Sequence, residues 1–265
     1  APEGYLLDTN TIQTFEIEAN GEDIILQFGD IEPLGKITIY KTNNLGDKLK
    51  EAEFQIVANE DIKNFTKTKT YYKKGQIVST VTTDLNGQAI ANDLPLGNYL
   101  IKETKAPNGY LLNGNTYNVN LLYKDQNTAI INYTIDKIID EEPCGIISII
   151  KNDAETKNMP QGDSKIAGAE YKVYVAEDIY NSAKTKKYYS KDEVIATRII
   201  KADGTTEDVT NLPLGNYYVK ETKAPEGYLI DDNIYKVNLS YKDQTTKVIK
   251  TNVISKENVK KRQVN

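Results

Sequence analysis

Two lysines and two glutamates stand where charged side chains are unusual. Lys41 ends the run Ile37-Thr-Ile-Tyr-Lys41, and Glu103 ends Tyr99-Leu-Ile-Lys-Glu103. The same patterns recur later, in runs that end at Lys151 and Glu221. Because side chains alternate between the two faces of a strand, the apolar residues at every second position predict that all four charged groups point into a core. A buried amine beside a buried carboxyl can form an ion pair or, when neutral, act as a nucleophile assisted by an acid.

These positions also have simpler explanations. Burying an unpaired charge is costly, so each group needs a partner, and a structural salt bridge would supply one. Alternatively, the charges lie at strand ends and their tips reach water. A one-residue bulge in a strand would exchange the side chains that face the core with those that face water. Periodicity alone leaves these alternatives open.

The composition excludes several classes of site. The 265-residue chain has no His and one Cys, and 33 Lys+Arg against 38 Asp+Glu give a net charge of −5. Without His there is no Ser-His-Asp triad and no imidazole metal ligand, and one Cys forms no intrachain disulfide. We therefore expect no metal and no cofactor. The dispersed lysines and net acidity do not favour nucleic-acid binding, and no apolar run is long enough to insert into a membrane.

The chain repeats itself. The sequence that starts Ala1-Pro-Glu-Gly-Tyr5 recurs from Ala106 and from Ala224, at intervals of 105 and 118 residues by subtraction. Repeats of this length predict separate domains rather than a solenoid. The expected organisation is the C-terminal strands of a truncated preceding repeat in residues 1–34 and two complete domains in residues 35–140 and 144–265, with a tail after about residue 256. This pattern is typical of a piece of a longer array.

Each repeat is predicted to be a β-sandwich. Six short runs rich in β-branched and aromatic residues lie between turn sequences such as Asp84-Leu-Asn-Gly87 and Leu94-Pro-Leu-Gly97. Residues 60–67 and 177–185 are the two stretches that suit a short helix or turn. The fold class is therefore all-β, with tandem antiparallel sandwiches of about seven strands each.

The frame LPLGNYLIKETKAPNGYLL, preceded by TTDLNG and by the lysine of the first strand, resembles the Cna B-type (SpaA-like) domains of Gram-positive surface adhesins and pilins. The resemblance covers about 220 residues of the chain in two full copies. It implies a transthyretin-like or inverse immunoglobulin-like sandwich. It also implies an intramolecular isopeptide bond, formed between the first-strand Lys and an Asn or Asp of the last strand with the help of a buried Glu.

The resemblance gives these residues roles. Lys41 and Lys151 are the expected amines, and Glu103 and Glu221 the assisting, catalytic acids. For the acceptors we chose Asn132 and Asn252 on the last strands, with Asn120 and Asn238 as competitors; Asp30 matches the acceptor of the preceding repeat. Each bond to Asn would release one ammonia, about 17 Da. This is a single-turnover self-modification, so we expect no enzyme activity.

The function implied is that of a stalk or spacer in a cell-wall-anchored, extracellular protein of a Gram-positive bacterium, whose anchor and signal peptide lie outside this sequence. Its partners would be neighbouring repeats. A ligand-binding adhesin, which contacts a host protein or glycan through Tyr-rich inserts at residues 58–75 and 176–191, is one alternative, and a pilin subunit is another. A glycosidase would need two carboxylates across a cleft, whereas each repeat offers one inward Glu.

Overall fold

The structure is a computed structural model that describes residues 1–8, 12–18, 20–21, 23–27, 29–157 and 164–257. The chain divides into two compact units. Unit 1 comprises Ala1–Pro107 and Leu112–Asp140, and unit 2 comprises Asn108–Leu111 and Glu141–Asn265. This division follows the two repeats, except that a short loop of the first repeat belongs to the second unit.

Unit 1 consists of two packed sheets and a small ribbon. Its strands are β1 (Leu34–Asn43), β2 (Glu53–Ala58), β3 (Ile62–Lys63), β4 (Thr70–Tyr72), β5 (Ile77–Thr82), β6 (Gln88–Leu94), β7 (Gly97–Lys105), β8 (Thr116–Leu121) and β9 (Ile130–Asp140). One sheet has the order β6-β1-β9 and the other β5-β2-β7-β8, and β3 pairs with β4.

Unit 2 repeats this arrangement strand for strand. Its strands are β10 (Cys144–Asp153), β11 (Glu170–Val175), β12 (Ile179–Tyr180), β13 (Lys187–Tyr189), β14 (Val194–Ile199), β15 (Val209–Leu212), β16 (Gly215–Lys223), β17 (Tyr235–Leu239) and β18 (Val248–Glu257). The sheets have the orders β15-β10-β18 and β14-β11-β16-β17, and β12 pairs with β13. The predicted all-β sandwich class is confirmed.

The core follows the alternation that the sequence predicts. Ile37 and Ile39 of β1 are fully buried, as are Tyr99 and Ile101 of β7 on the facing sheet. Burial of these side chains is the main favourable contribution to folding of the unit. The two stretches that suit a short helix or turn hold turns together with the short strands β3 and β12. None of the described residues lies in a helix that could cross a membrane.

Within the predicted antiparallel sandwiches, the first and last strands of each unit pair in parallel. β1 runs parallel to β9, and β10 runs parallel to β18. A parallel pair needs a long connection, and the whole of each repeat supplies it. In unit 1 the register shifts between Ile39 and Lys41, which marks a bulge or irregularity. In unit 2 the register stays regular from Cys144 to Asp153.

The segment before β1 differs from the prediction. Its described residues form no strand, although we expected the last strands of a preceding repeat. Its backbone groups bond to loops instead: Leu6 N donates to Ile31 O at 2.8 Å and Leu7 N donates to Gln126 O at 2.8 Å. These bonds satisfy amides that a neighbouring strand would otherwise satisfy.

Candidate functional site

The four charged residues singled out by periodicity all lie in the cores. Lys41 and Lys151 are 0% and 1% exposed, and Glu103 and Glu221 are 6% and 4% exposed. The lysines belong to β1 and β10, and the glutamates belong to β7 and β16 on the facing sheets. Their predicted inward orientation is confirmed.

In unit 1 the lysine lies between two carboxyl groups. Lys41 Nζ is 2.9 Å from Glu103 Oε1, and it also contacts Asp140 Oδ1. The ring of Phe54 lies against the amine, with Nζ 5.7 Å from the ring centroid. Asp140 is the last residue of β9 and is 1% exposed. The sandwich therefore excludes water from one amine and two carboxyl groups that touch it.

Burial also changes the acidity of this site. Removal from water raises the pKa of Asp140 to about 7, although the positive charge of Lys41 opposes the rise. Among the described residues, Glu103 Oε1 and Asp140 Oδ2 have no hydrogen-bond partner, and the contact of Glu103 Oε1 with Lys41 Nζ is an ion pair. A proton on one carboxyl would satisfy these atoms and would reduce the excess negative charge of the cluster. Near neutral pH the site thus holds a substantial fraction of neutral carboxylic acid, the form of Asp140 that an amine can attack.

The acceptor that we chose for this repeat is corrected. Asn132 is exposed and lies in register with Lys36, near the start of β1. The fold brings Asp140 to Lys41 instead, because β9 continues seven residues beyond Tyr133. The competitor Asn120 is also exposed, opposite Asn98 on β7.

The signal for Asp140 was present in the sequence. Asp30-Ile-Glu-Pro-Leu-Gly35 matches Asp140-Glu-Glu-Pro-Cys-Gly145 residue for residue in position, and Asp30 already matched an acceptor. The last run that the alternating pattern predicts ends at Tyr133, seven residues before Asp140. Asp30 itself is exposed.

Unit 2 holds a related but more polar site. Lys151 Nζ lies 3.1 Å from Glu221 Oε1 and 3.4 Å from Tyr171 OH. Burial lowers the pKa of Lys151 and raises the pKa of Glu221, so both groups shift toward their neutral forms. Glu221 Oε2 accepts a hydrogen bond from Asp231 N at 2.7 Å. In unit 1 Asn113 N donates to Glu103 Oε2 at the same distance.

The acceptor that we chose in unit 2 is also corrected. Asn252 is exposed and lies in register with Ser148, three positions before Lys151. Asn238 is exposed as well and donates to Asn216 Oδ1. Ser255 is the residue of β18 opposite Lys151, and its hydroxyl donates to Asp231 Oδ2 at 2.8 Å.

The tyrosine pairs of the two inserts pack against the cores. Tyr71, Tyr72, Tyr188 and Tyr189 are partly buried and contact the hydrophobic clusters of their units. Strand packing therefore accounts for much of their surface.

Comparisons with known proteins agree with this architecture. The SpaA family of prealbumin-like fold domains matches residues 35–137 and 145–254. The trypsin-resistant surface T6 protein of Streptococcus pyogenes serotype M6 is 37% identical over 73 residues, which are 25% of this chain and 14% of that protein.

Among solved structures, the Bacillus anthracis TIE protein has a TM-score of 0.55 at 23% identity, over 86% of this chain and 35% of that one. A streptococcal ancillary pilin is similar over 95% of this chain and 74% of its own length, at 21% identity and a TM-score of 0.34. The chain thus spans about a seventh of the T6 protein and about a third of the TIE protein. With two matched segments that cover most of its length, the chain belongs to the SpaA family of prealbumin-like fold domains.

Proposed function

We propose that this chain is a structural spacer whose sandwiches are each closed by an amide bond between the first and the last strand. One observation carries the proposal: Lys41 Nζ contacts both Glu103 and Asp140 in a core that excludes water. An ordinary salt bridge needs one carboxylate, whereas this site has two for a single amine. Strands that hold the reactants together supply the proximity that an amidation in water lacks.

The chemistry balances within the site. The neutral amine of Lys41 attacks Cγ of protonated Asp140, so that a C–N bond forms. Glu103 takes a proton from the attacking nitrogen and returns it to the departing hydroxyl. The C–O bond of Asp140 breaks and one water leaves. The reaction consumes its own residues, and therefore the chain undergoes one turnover and is not an enzyme.

The second repeat would react through Lys151 and Glu221. Counted from the strand register, the position of Asp140 corresponds to Glu257. Counted by the 118-residue interval between Ala106 and Ala224, it corresponds to Asn258, which lies outside the described residues. We favour Asn258, because the two counts differ by the one-residue shift in β9. Its amide would release ammonia, whereas Glu257 would release water.

The bond would change how the chain carries load. A pull on the chain enters unit 1 through β1 and leaves it through β9, which lie side by side. An amide at Lys41 and Asp140 would keep the residues between them out of the path of force. Closing this loop of 99 residues, by subtraction, would also stabilise the unit by about 4–5 kcal/mol on the chain-entropy view that applies to disulfides.

The proposed location is the surface of a Gram-positive bacterium, in a protein anchored to the cell wall. The family membership and the relative described as a surface protein support this location. Neighbouring repeats of the same array are the proposed partners, and a pilin subunit is compatible with the same fold.

Pulling single molecules by their ends tests the spacer function. The full chain should release about 340 Å less length from unit 1 than the Glu103→Gln variant, because about 98 residues stay locked at about 3.5 Å each. Equal extensions for the two proteins would refute the mechanical proposal. Asn132→Ala serves as the matched control, and it should extend like the unmodified chain.

A second candidate function, binding of an acidic glycan, is favoured by a groove in unit 2. The groove has a volume of about 730 Å³ and lies between the insert and the outer face of β16 and β17. Lys220 and Tyr218 line the groove, and their neighbours on β11 lie outside the lining: Lys172 is directly opposite Lys220, and the rings of Tyr174 and Tyr218 stack with centroids 4.8 Å apart. Facing like charges destabilise a sheet, so their presence favours an anionic ligand.

Unit 1 offers a natural comparison for this groove. At the positions of Lys172, Tyr174 and Tyr218 it has the neutral residues Gln55, Val57 and Leu100. Titration of the chain with heparin, as an acidic polysaccharide, should give binding that Lys172→Gln with Lys220→Gln abolishes. Binding that persists in this variant, or that poly-glutamate reproduces, would argue against a glycan site here.

A further inference from the structure

The loop Ala-Pro-x-Gly-Tyr occurs three times, and its first two copies make corresponding contacts, the first in unit 1 and the second in unit 2. In unit 1 the ring of Tyr5 packs edge-on against Phe65 with centroids 6.3 Å apart, and Phe65 packs against Tyr123 at 5.8 Å. Gly4 has φ +95°, and a Cβ there would lie 2.1 Å from the Phe65 ring. The loop therefore fits closely, and glycine is needed at its turn.

Hydrogen bonds hold the loop in unit 1. Tyr123 OH donates to Tyr5 O at 3.3 Å, and Leu6 N donates to Ile31 O at 2.8 Å. The acceptor in the first bond and both atoms of the second belong to the backbone. The loop is thus recognised largely through its shape and its main chain.

The loop in unit 2 is held by the equivalent atoms. Tyr241 OH donates to Tyr110 O at 3.1 Å, and Leu111 N donates to Glu141 O at 2.8 Å. Ser182 stands at the position of Phe65, and its hydroxyl donates to Gly109 O at 3.3 Å. The arrangement therefore tolerates a change from an aromatic to a small polar residue.

A glutamate just before the first strand shapes the insert in each unit. Glu32 accepts hydrogen bonds from Phe65 N at 2.7 Å and from Tyr71 OH at 3.1 Å. Glu142 accepts from Ser182 N at 2.5 Å and from Tyr188 OH at 3.3 Å. We name these groups the docking face of each unit: Glu32, Phe65, Tyr71 and Tyr123 in unit 1, and Glu142, Ser182, Tyr188 and Tyr241 in unit 2.

The loop that each docking face holds lies in the chain before the repeat that forms the face, and not within that repeat. The loop of unit 1 precedes the first repeat, and Asn108–Leu111 follows β7 of the first repeat yet belongs to unit 2. The third loop, Pro225–Ile230, follows β16. Its residues Leu229 and Ile230 are 52% and 48% exposed, whereas the equivalent Leu111 and Leu112 are partly buried.

We propose that the loop Pro225–Ile230 is an interaction surface, and that its partner is the docking face of another repeat of this kind. The partner needs a glutamate before its first strand and a tyrosine after its eighth strand. Its insert must also have a turn whose backbone N–H donates a hydrogen bond to that glutamate. In this view the Tyr-rich inserts recognise repeats rather than a host ligand. The two filled docking faces of the chain show the chemistry that the third loop would meet.

Two forms of the 265-residue chain test this interaction. Gly4→Val should expel the first loop from unit 1, since a side chain would collide with Phe65 and the φ of Gly4 disfavours other residues. When this variant is added to isotope-labelled unmodified chain, the amide resonances of Gly227, Leu229 and Ile230 should shift. Unlabelled unmodified chain, whose docking faces are filled, should shift them much less.

The controls keep the test decisive. Adding Glu32→Ala and Tyr123→Ala to the Gly4→Val chain should remove the shifts, because the docking face itself is then lost. Tyr5→Ala is a second way to empty the face, and it should act like Gly4→Val if valine perturbs folding. Shifts that are absent with both emptied chains, or that are equal with the unmodified chain, would overturn the proposal.

Discussion

At the scale of single residues, Asp140 places a carboxyl group in the core, where burying an unpaired charge costs free energy of folding. It is buried beside Lys41 and Glu103, and burial raises its pKa to about 7. A stabilising ion pair would be formed as well by one carboxylate alone. The second carboxyl group is explained by the proposed amide bond, which removes both the charge of the lysine and that of the aspartate.

Substitution of this residue gives a sharp prediction. Asp140→Asn should still form the bond, because the carbonyl carbon stays at the same place, but it should release ammonia rather than water. The mass deficit of unit 1 should therefore change from about 18 to about 17 Da, as high-resolution mass spectrometry can measure. Asp140→Ala should show no deficit in unit 1. Loss of the deficit in Asn132→Ala would instead restore Asn132 as the acceptor.

The pKa of Asp140 predicts how bond formation depends on pH. Because its pKa is raised to about 7, the reactive neutral acid prevails below that pH and is lost as the pH rises through it. Formation in newly translated chain, followed by mass against time, should slow above about pH 7. The Asp140→Asn variant carries no such group and should lack this decline. Identical profiles for the two proteins would contradict the assigned role of the acid.

At the scale of elements, the start of β1 depends on a close approach to β8. A Cβ on Gly35 would lie 2.2 Å from Leu121 Cδ1, and Gly145 has the same relation to Leu239 at 2.3 Å. Gly35→Ala should destabilise unit 1 by about 1–3 kcal/mol through overpacking, measured by denaturant unfolding in a Glu103→Gln background. Gly114 has no heavy atom within 4 Å of an added Cβ, so Gly114→Ala is the matched control. Equal effects of the two changes would argue against this packing.

The elements also explain which parts of the site the sequence could predict. Alternation placed Lys41 and Glu103 in the core, because β1 and β7 have a buried side chain at every second position there. The same rule failed on β9, where most side chains are exposed and the register shifts opposite Ile39 and Lys41. The parallel pairing of the first and last strands depends on tertiary structure, and local patterns do not encode it. The match between Asp30-Ile-Glu-Pro-Leu-Gly35 and Asp140-Glu-Glu-Pro-Cys-Gly145 was the signal that could have located the acceptor.

At the scale of the whole molecule, the proposed bonds should protect the chain from proteases. The chain has 33 Lys+Arg, so trypsin has many sites wherever a unit opens. The double variant Glu103→Gln, Glu221→Gln should be digested faster than the unmodified chain at elevated temperature, because its units open without a covalent constraint. Gel analysis over time measures this difference. Equal digestion rates would show that the crosslinks do not contribute to the protease resistance of the chain.

The intact mass of the unmodified chain tests the central claim most directly. If unit 1 closes through Asp140 and unit 2 through Asn258, the chain should weigh about 35 Da less than its sequence, from one water and one ammonia. Glu103→Gln should remove the water loss alone, and Glu221→Gln the ammonia loss alone. A deficit of about 36 Da would instead assign Glu257 to unit 2. An unmodified chain at its full sequence mass would contradict the account.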